Sequence, residues 1–278
     1  MKSEDMFNEK YPYRSSISQT MKKSFKKLSK EIINKFKPNL TLEIGSNDGA
    51  LITNFKKKKV IGVEPCTNLA NITKKKGFKT YDKYWNFDLA KKIKSNHGLV
   101  DLIYSANTIT HISNLNDVFR SIYHILNNDG ILIIEDPSLL ECIKNNAYDQ
   151  FYNEHIYIFS ATSLSNILKK YHLQIFDIKK LKTHGGSLRY YIKKDLNKNI
   201  RVSNRVNNQI LSESKFGLKR LATYKKFASN VIKSKYQLLN LIKNIKKQNE
   251  VIIGYGATAK AVTAVSYTHL TLPTMFEV

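Results

Sequence analysis

Five residues of this chain pair a reactive side chain with a position from which it could act on a ligand: Glu43, Glu64, His111, His155 and His184. Glu43 stands just before Gly45-Ser46-Asn47-Asp48-Gly49. Glu64 closes the apolar run Val60-Ile61-Gly62-Val63, a spacing of about twenty residues that suits an acid accepting both hydroxyls of a ribose. The alternative for Glu64 is a solvated loop acid. An imidazole suits proton removal near neutral pH, because its ordinary pKa of about 6.5 leaves it largely unprotonated. A tyrosine hydroxyl or a second histidine would supply hydrogen bonds to a developing oxyanion.

The elements that must position these groups follow from apolar patterning. Leu40-Thr41-Leu42-Glu43-Ile44 reads as a buried parallel strand, and Ala50-Leu51-Ile52 opens an amphipathic helix after the turn. The two glycines let the backbone turn sharply and approach a ligand that a Cβ would push away. A helix N-terminus there would point free N–H groups into the same space. With Glu43 beside the turn, a cationic cofactor such as S-adenosylmethionine (SAM) fits better than a pyrophosphate. Gly45, Ser46, Asn47 and Gly49 are then cofactor-binding candidates, joined by Glu43, Glu64, Pro65 and Asn107 at strand ends.

Ahead of that strand, a polar and aromatic segment ends in Tyr11-Pro12-Tyr13-Arg14-Ser15-Ser16. Residues 17–36 read as a basic helix with Met21, Phe25, Leu28, Ile32 and Ile33 at helical spacing, stopped by Pro38. Further strands are expected at 60–65, 78–81, 99–107 and 131–137. Helices are expected at 68–76 and from Leu115 through Leu126, the latter closed by Asn127-Asn128-Asp129-Gly130. Asp82 falls where an adenine edge would lie. The alternation predicts an α/β fold with a doubly wound, Rossmann-like sheet that binds ligands at the carboxyl ends of its strands.

After residue 150 the rhythm changes. A helix at 161–171 precedes strand-like runs at 173–181 and 187–192, with His184-Gly185-Gly186 forming a sharp turn between them. Residues 200–248 read as long helices, and Gly254-Tyr255-Gly256-Ala257-Thr258-Ala259-Lys260 starts a second strand-turn-helix. The expected organisation is a capping segment and helix at 1–36, the main domain at 37–198, a helical linker at 199–249 and a truncated α/β unit at 250–278.

Composition narrows the function classes. The net charge of +24 is mostly lysine spread along the chain, together with much asparagine and isoleucine. The run Lys56-Lys57-Lys58-Lys59 lacks the interleaved aromatics and arginines of a nucleic-acid site, so no nucleic-acid partner is expected. No stretch approaches the roughly 18 apolar residues of a membrane span, and the N-terminus has no apolar targeting segment. Two distant cysteines, Cys66 and Cys142, fit a reducing cytoplasm and argue against a disulfide scaffold or a four-thiolate metal site.

Six ordered motifs resemble one family. They are Tyr11-Pro12-Tyr13-x-Ser15-Ser16, Glu43-Ile44-Gly45-Ser46-Asn47-Asp48-Gly49, Gly62-Val63-Glu64-Pro65, Tyr152-x-Glu154-His155, His184-Gly185-Gly186-Ser187-Leu188-Arg189 and the run 254–260. In these the chain resembles the SAM-dependent sugar C-methyltransferases, which act on nucleotide-linked 4-keto-deoxysugars. The resemblance implies a class I methyltransferase fold and SAM as cofactor. It implies His155 as base oriented by Glu154, with Tyr152 and His111 at the keto-enolate and Tyr11 or Tyr13 closing over the substrate. His184 and Arg189 become substrate-binding candidates, Arg189 for a diphosphate. Each residue has a blander reading: His111 as a helix cap, His184 as part of a turn, Arg189 as a snorkelling strand residue. The cysteine-rich zinc module usual in the family has no counterpart here, so no metal is expected. Residues 265–278 do not resemble the family's continuation and read as a possible non-native tail.

Overall fold

The computed structural model describes residues 3–252, and for His184 the backbone alone. The apolar runs pair as a seven-stranded sheet: β1 (Thr41–Ile44), β2 (Val60–Val63), β3 (Lys79–Tyr81), β4 (Val100–Ala106), β5 (Leu126–Pro137), β6 (Leu173–Leu181) and β7 (Ser187–Lys194). Their order is β3-β2-β1-β4-β5-β7-β6. The first five strands run parallel, and β7 enters antiparallel between β5 and β6. The strand order reverses between β1 and β4, which opens a crevice at their carboxyl ends.

Helices cover both faces: α1 (Ser3–Met6), α2 (Gln19–Phe36), α3 (Thr67–Lys75), α4 (Phe87–His97), α5 (Leu115–Ile125), α6 (Leu139–Lys144), α7 (Ala161–Lys169), α8 (Asn204–Phe216) and α9 (Leu221–Lys247). Side chains alternate across the strands, so β4 sends Leu102 and Tyr104 to one face and Ile103 to the other. On the first face Phe25, Leu28 and Ile32 of α2 meet Leu102, Tyr104, Ile131 and Ile133. A fully buried Ile32 contributes about 1.5–3 kcal/mol. Ser18 caps the start of α2, and Lys37 ends it in a left-handed conformation just before Pro38. The second face packs α4, α5 and α7 through Leu89, Ile93, Val118, Phe119, Ile122 and Leu164.

Three local expectations need correction. No α-helix follows Gly49; the chain makes 3₁₀ turns at Ile52–Asn54 and Lys57–Lys59. Thr53 Oγ1 donates to the Gly49 carbonyl at 2.7 Å beside the Thr53 amide, and Asn54 Nδ2 donates to the carbonyls of Ala50 and Leu51, so side chains share the carbonyls of the first short turn with the backbone. Residues 127–130 are the irregular start of β5 rather than a closing turn, since Leu126 already pairs with Val100 before the register shifts. Helix α4, unanticipated, is capped by Asn86, whose side chain accepts from the Leu89 amide at 2.8 Å.

The expected linker is partly built into the main body. Helix α8 buries Val206, Gln209 and Glu213. Glu213 accepts from the amides of Ala161 (2.7 Å) and Thr162 (2.9 Å), which satisfies the start of α7. Arg205 pairs with Asp177 of β6. Helix α9 buries Val231 alone. The strand-turn-helix expected from residue 250 onward, including 254–260 and 265–278, falls outside the described residues beyond 252.

Candidate functional site

The glycine turn is shaped by backbone. Gly45 has φ 76° and its amide donates to the Val63 carbonyl at 2.8 Å. A Cβ at Gly45 would stand 2.1 Å from Oγ1 of Thr108, on the loop after β4, so the absence of a side chain brings the two carboxyl ends together. Asn47 is also left-handed. Glu64, at the end of β2, accepts from the Asn47 amide at 2.7 Å and from the Cys66 amide at 2.9 Å. Burial raises its pKa above the ordinary carboxylate value despite these bonds.

Glu43 is fully buried, and its Oε2 has no hydrogen-bond partner. Burial, followed by the negative charge of Glu64, pushes its pKa well upward. Three acids, Glu43, Glu64 and Asp48, thus crowd one turn, and a ligand cation there would relieve both the repulsion and the orphaned oxygen. These residues fit SAM, which carries a sulfonium and an ammonium. Ser46, Gly49 and Pro65 lie on the same turn and strand end. Asn107 follows β4 with φ 49°, its amide donating to the Glu135 carbonyl.

The segment before α2 crosses this turn as a strap. The Ser15 amide donates to Oδ1 of Asn47 at 2.9 Å, and Nδ2 of Asn47 donates to the Tyr13 carbonyl. Ser16 donates its amide and hydroxyl to Asp48. Asn68 of α3 donates to the Tyr11 carbonyl at 2.9 Å. Of the two candidate tyrosines, Tyr11 turns inward and its hydroxyl donates to Glu154 at 3.4 Å, while Tyr13 is 50% exposed.

Across the crevice stands a stack of aromatic and imidazole rings. His111 and His155 lie 5.2 Å apart at 27°, and Phe7 stacks on His111 at 5.3 Å and 9°. Tyr152 packs against His155 at 4.4 Å, with its hydroxyl 3.3 Å from Nε2. Nδ1 of His155 lies 2.7 Å from the Gln150 carbonyl. A carbonyl only accepts, so Nδ1 carries the proton and Nε2 is the nitrogen that accepts from the Tyr152 hydroxyl. His111 is held neutral: burial, aided by the charge His155 would carry, drops its pKa to about 3. Burial raises Tyr152, Tyr11 and Glu154 above their ordinary values. The loop is anchored by the Tyr157 amide on Thr110 and the Tyr157 hydroxyl on Ser113.

Several expected roles change. Glu154 does not orient His155; it receives Tyr11, and the Gln150 carbonyl orients the imidazole instead. His111 is not the cap of α5, because Asn114 accepts from the Asp117 amide. Arg189 does not face the crevice and does not snorkel. Its side chain, 5% exposed, is paired with Glu135 at 2.9 Å, opposite it in the β5–β7 register, and with Glu31 of α2 at 3.6 Å. His184 sits in a 3₁₀ turn at Thr183–Gly185 that leads through Gly186 (φ 125°) into β7.

Sequence reasoning passed over Gln150, Phe7, Asn68 and the contact of Ser15 and Ser16 with Asn47 and Asp48. The last left a signal, two hydroxyl residues beside a motif whose turn carries two polar side chains. Among the described residues no set of three or more histidine, cysteine or acidic side chains is arranged to hold a metal ion, and no helix is long and apolar enough to cross a membrane.

Residues 13–177 match the model of a methyltransferase domain family, and residues 182–276 that of the C-methyltransferase C-terminal domain. C-methyltransferase NovU from Streptomyces niveus is 29% identical over 224 residues, 80% of this chain and 53% of that protein. The chain therefore spans about half the length of the curated relative it matches. PH0226 protein from Pyrococcus horikoshii OT3 has a similar fold, with a TM-score of 0.50 and 15% identity over 66% of this chain and 94% of that one. The magnesium protoporphyrin IX methyltransferase ChlM from Synechocystis PCC 6803, solved with bound S-adenosylhomocysteine (SAH), gives a TM-score of 0.46 and 14% identity over 62% and 82% of the two chains.

Proposed function

The chain belongs to the methyltransferase domain family and has the SAM-dependent class I fold, and on that premise we propose that it methylates carbon. The substrate proposed is a nucleotide-linked 4-keto-deoxysugar, as the six sequence motifs imply, and the site of work is the cytoplasm. The observation that carries the reading is the His155 imidazole, with Nδ1 committed to the Gln150 carbonyl, which leaves Nε2 the unprotonated nitrogen, hydrogen-bonded to the Tyr152 hydroxyl. Methyl transfer to oxygen or nitrogen can proceed on an existing lone pair. Transfer to a saturated carbon requires a proton to leave first, and a ketone acidifies the hydrogen on the neighbouring C3.

In the proposed reaction Nε2 of His155 takes that proton. The Tyr152 hydroxyl and the neutral His111, each packed against His155, would serve the oxygen on which charge develops. The C3 carbon then forms a bond to the methyl group. Bound SAM would supply that methyl as an electrophile and leave as SAH, held by Glu43, Glu64 and the Gly45–Gly49 backbone. Tyr11 closes the crevice by joining the strap to Glu154. The test is mass spectrometry of dTDP- and GDP-linked 4-keto-6-deoxyhexoses incubated with methyl-labelled SAM. A product carrying the label on ring carbon supports the reading, and label on oxygen or nitrogen of another small molecule replaces it with an O- or N-methyltransferase.

A further inference from the structure

Two surface grooves differ in how their cations are answered. One, of about 430 Å³ between α2, β6 and α8, has Glu31 and Asp177 in its lining, paired with Lys179 and Arg205, beside Lys35 and Lys180. The other, of about 440 Å³, runs along α4 and α5 to the end of β7. It is lined by Phe87, Lys94, Leu99, Arg120, Tyr123, His124, Asn128 and Lys194, with no carboxylate among them. Acids stand only at its margin: Asp117 takes the Phe87 amide and forms a long, partly exposed ion pair with Arg120 at 3.9 Å, and Asp88 pairs with Lys91.

The cations in this groove are held in place. The Arg120 guanidinium lies 3.8 Å over the Phe87 ring, and the Lys194 ammonium 4.4 Å over Tyr123. Lys94 donates to the His124 carbonyl at 3.3 Å, and Lys194 to the Asn128 side chain at 3.3 Å. Lys194 is only 5% exposed, unlike the solvated Lys56–Lys59 run. Burial and then the charge of Lys94 lower its pKa, and burial with Lys94, Lys194, Lys91 and Arg120 lowers that of His124. A buried ammonium next to like charges is costly unless an anion joins it.

We infer that this groove is a binding site for a small oligophosphate, a di- or triphosphate bridging Lys194, Lys94 and Arg120. Such a ligand matches both the number of converging cations and the absence of an acid in the lining. The site is separate from the crevice, because Leu99 and Asn128 lie at the amino ends of the parallel strands, roughly 20 Å of strand from the carboxyl ends. The ligand chemistry is shared by inorganic oligophosphate and by the phosphate tail of a nucleotide.

Isothermal titration with tripolyphosphate, pyrophosphate and ATP at physiological ionic strength tests the inference. Saturable one-to-one binding is expected, weakened roughly tenfold or more by Lys194→Gln and by Arg120→Gln and unchanged by Lys56→Gln. Arg120 is exposed enough that its variant keeps the test valid should Lys194→Gln fail to fold. Tighter binding of ATP than of tripolyphosphate identifies the nucleotide as the source, and equal binding the bare phosphate chain. Equal loss in the Lys56 and Arg120 variants, or no saturable heat, overturns the site. A single-stranded oligonucleotide binding more tightly than tripolyphosphate through Arg120 overturns the small-ligand assignment.

Discussion

Around Glu64 the partners are backbone amides from two neighbouring segments, Asn47 and Cys66. Around His155 and His111 they are rings and a carbonyl drawn from residues 7, 111, 150 and 152. The side of the crevice proposed for the cofactor is thus a local backbone structure built by the turn after β1 and the end of β2. The opposite side exists only when three distant loops meet, and the strap carrying Tyr11, Ser15 and Ser16 ties the two together. A site divided this way should lose cofactor affinity and chemistry separately.

The largest expected effect tests that division. His155→Ala should slow C-methylation by about 10²- to 10⁴-fold while SAM affinity, read by calorimetry, is unchanged. An equal fall in both would show that the two sides are one unit. Glu64→Ala should do the reverse, weakening SAM binding by roughly ten- to a hundredfold with little change in the KM for the sugar. Gly45→Ala should lower stability by at least about 1 kcal/mol in denaturant unfolding, since its φ is left-handed and the new Cβ meets Thr108.

How much of this was legible in the sequence follows the same division. The apolar runs of β1, β2, β4 and β5 and the glycine turn between β1 and β2 are local patterns, and each stands in the structure. In place of the helix expected after Gly49 stands a short 3₁₀ turn, in which Thr53 and Asn54 side chains hydrogen-bond back to Gly49, Ala50 and Leu51, contacts that apolar periodicity does not register. Gln150 was invisible for a different reason: it acts through its main-chain carbonyl, which any residue carries. Arg189 was misassigned because its partner, Glu135, is set by the β5–β7 register rather than by spacing along the chain. Phe7 lies in a polar segment where a single aromatic ring gives no period to read.

The histidine stack also sets a pH dependence. His111 is depressed in the folded chain to about 3 from its ordinary 6.5, so the unfolded chain binds the extra proton between those values. Its neutral burial favours folding above about pH 6.5, and that contribution is lost as pH falls toward 3. Thermal unfolding of His111→Asn should therefore show a shallower decline over that window than the unmodified chain. A parallel decline would mean that another group controls acid stability. Tyr11→Phe, the smallest effect, removes the 3.4 Å bond to Glu154 and should cost about 0.5–1.5 kcal/mol in kcat/KM.

Solvent exchange at C3 of the sugar tests proton removal by His155 most directly. In deuterated buffer, with a 4-keto-6-deoxy nucleotide sugar and SAH in place of SAM, deuterium should enter at C3 with the unmodified chain and enter far more slowly with His155→Ala. Exchange that persists undiminished in the variant would contradict the account.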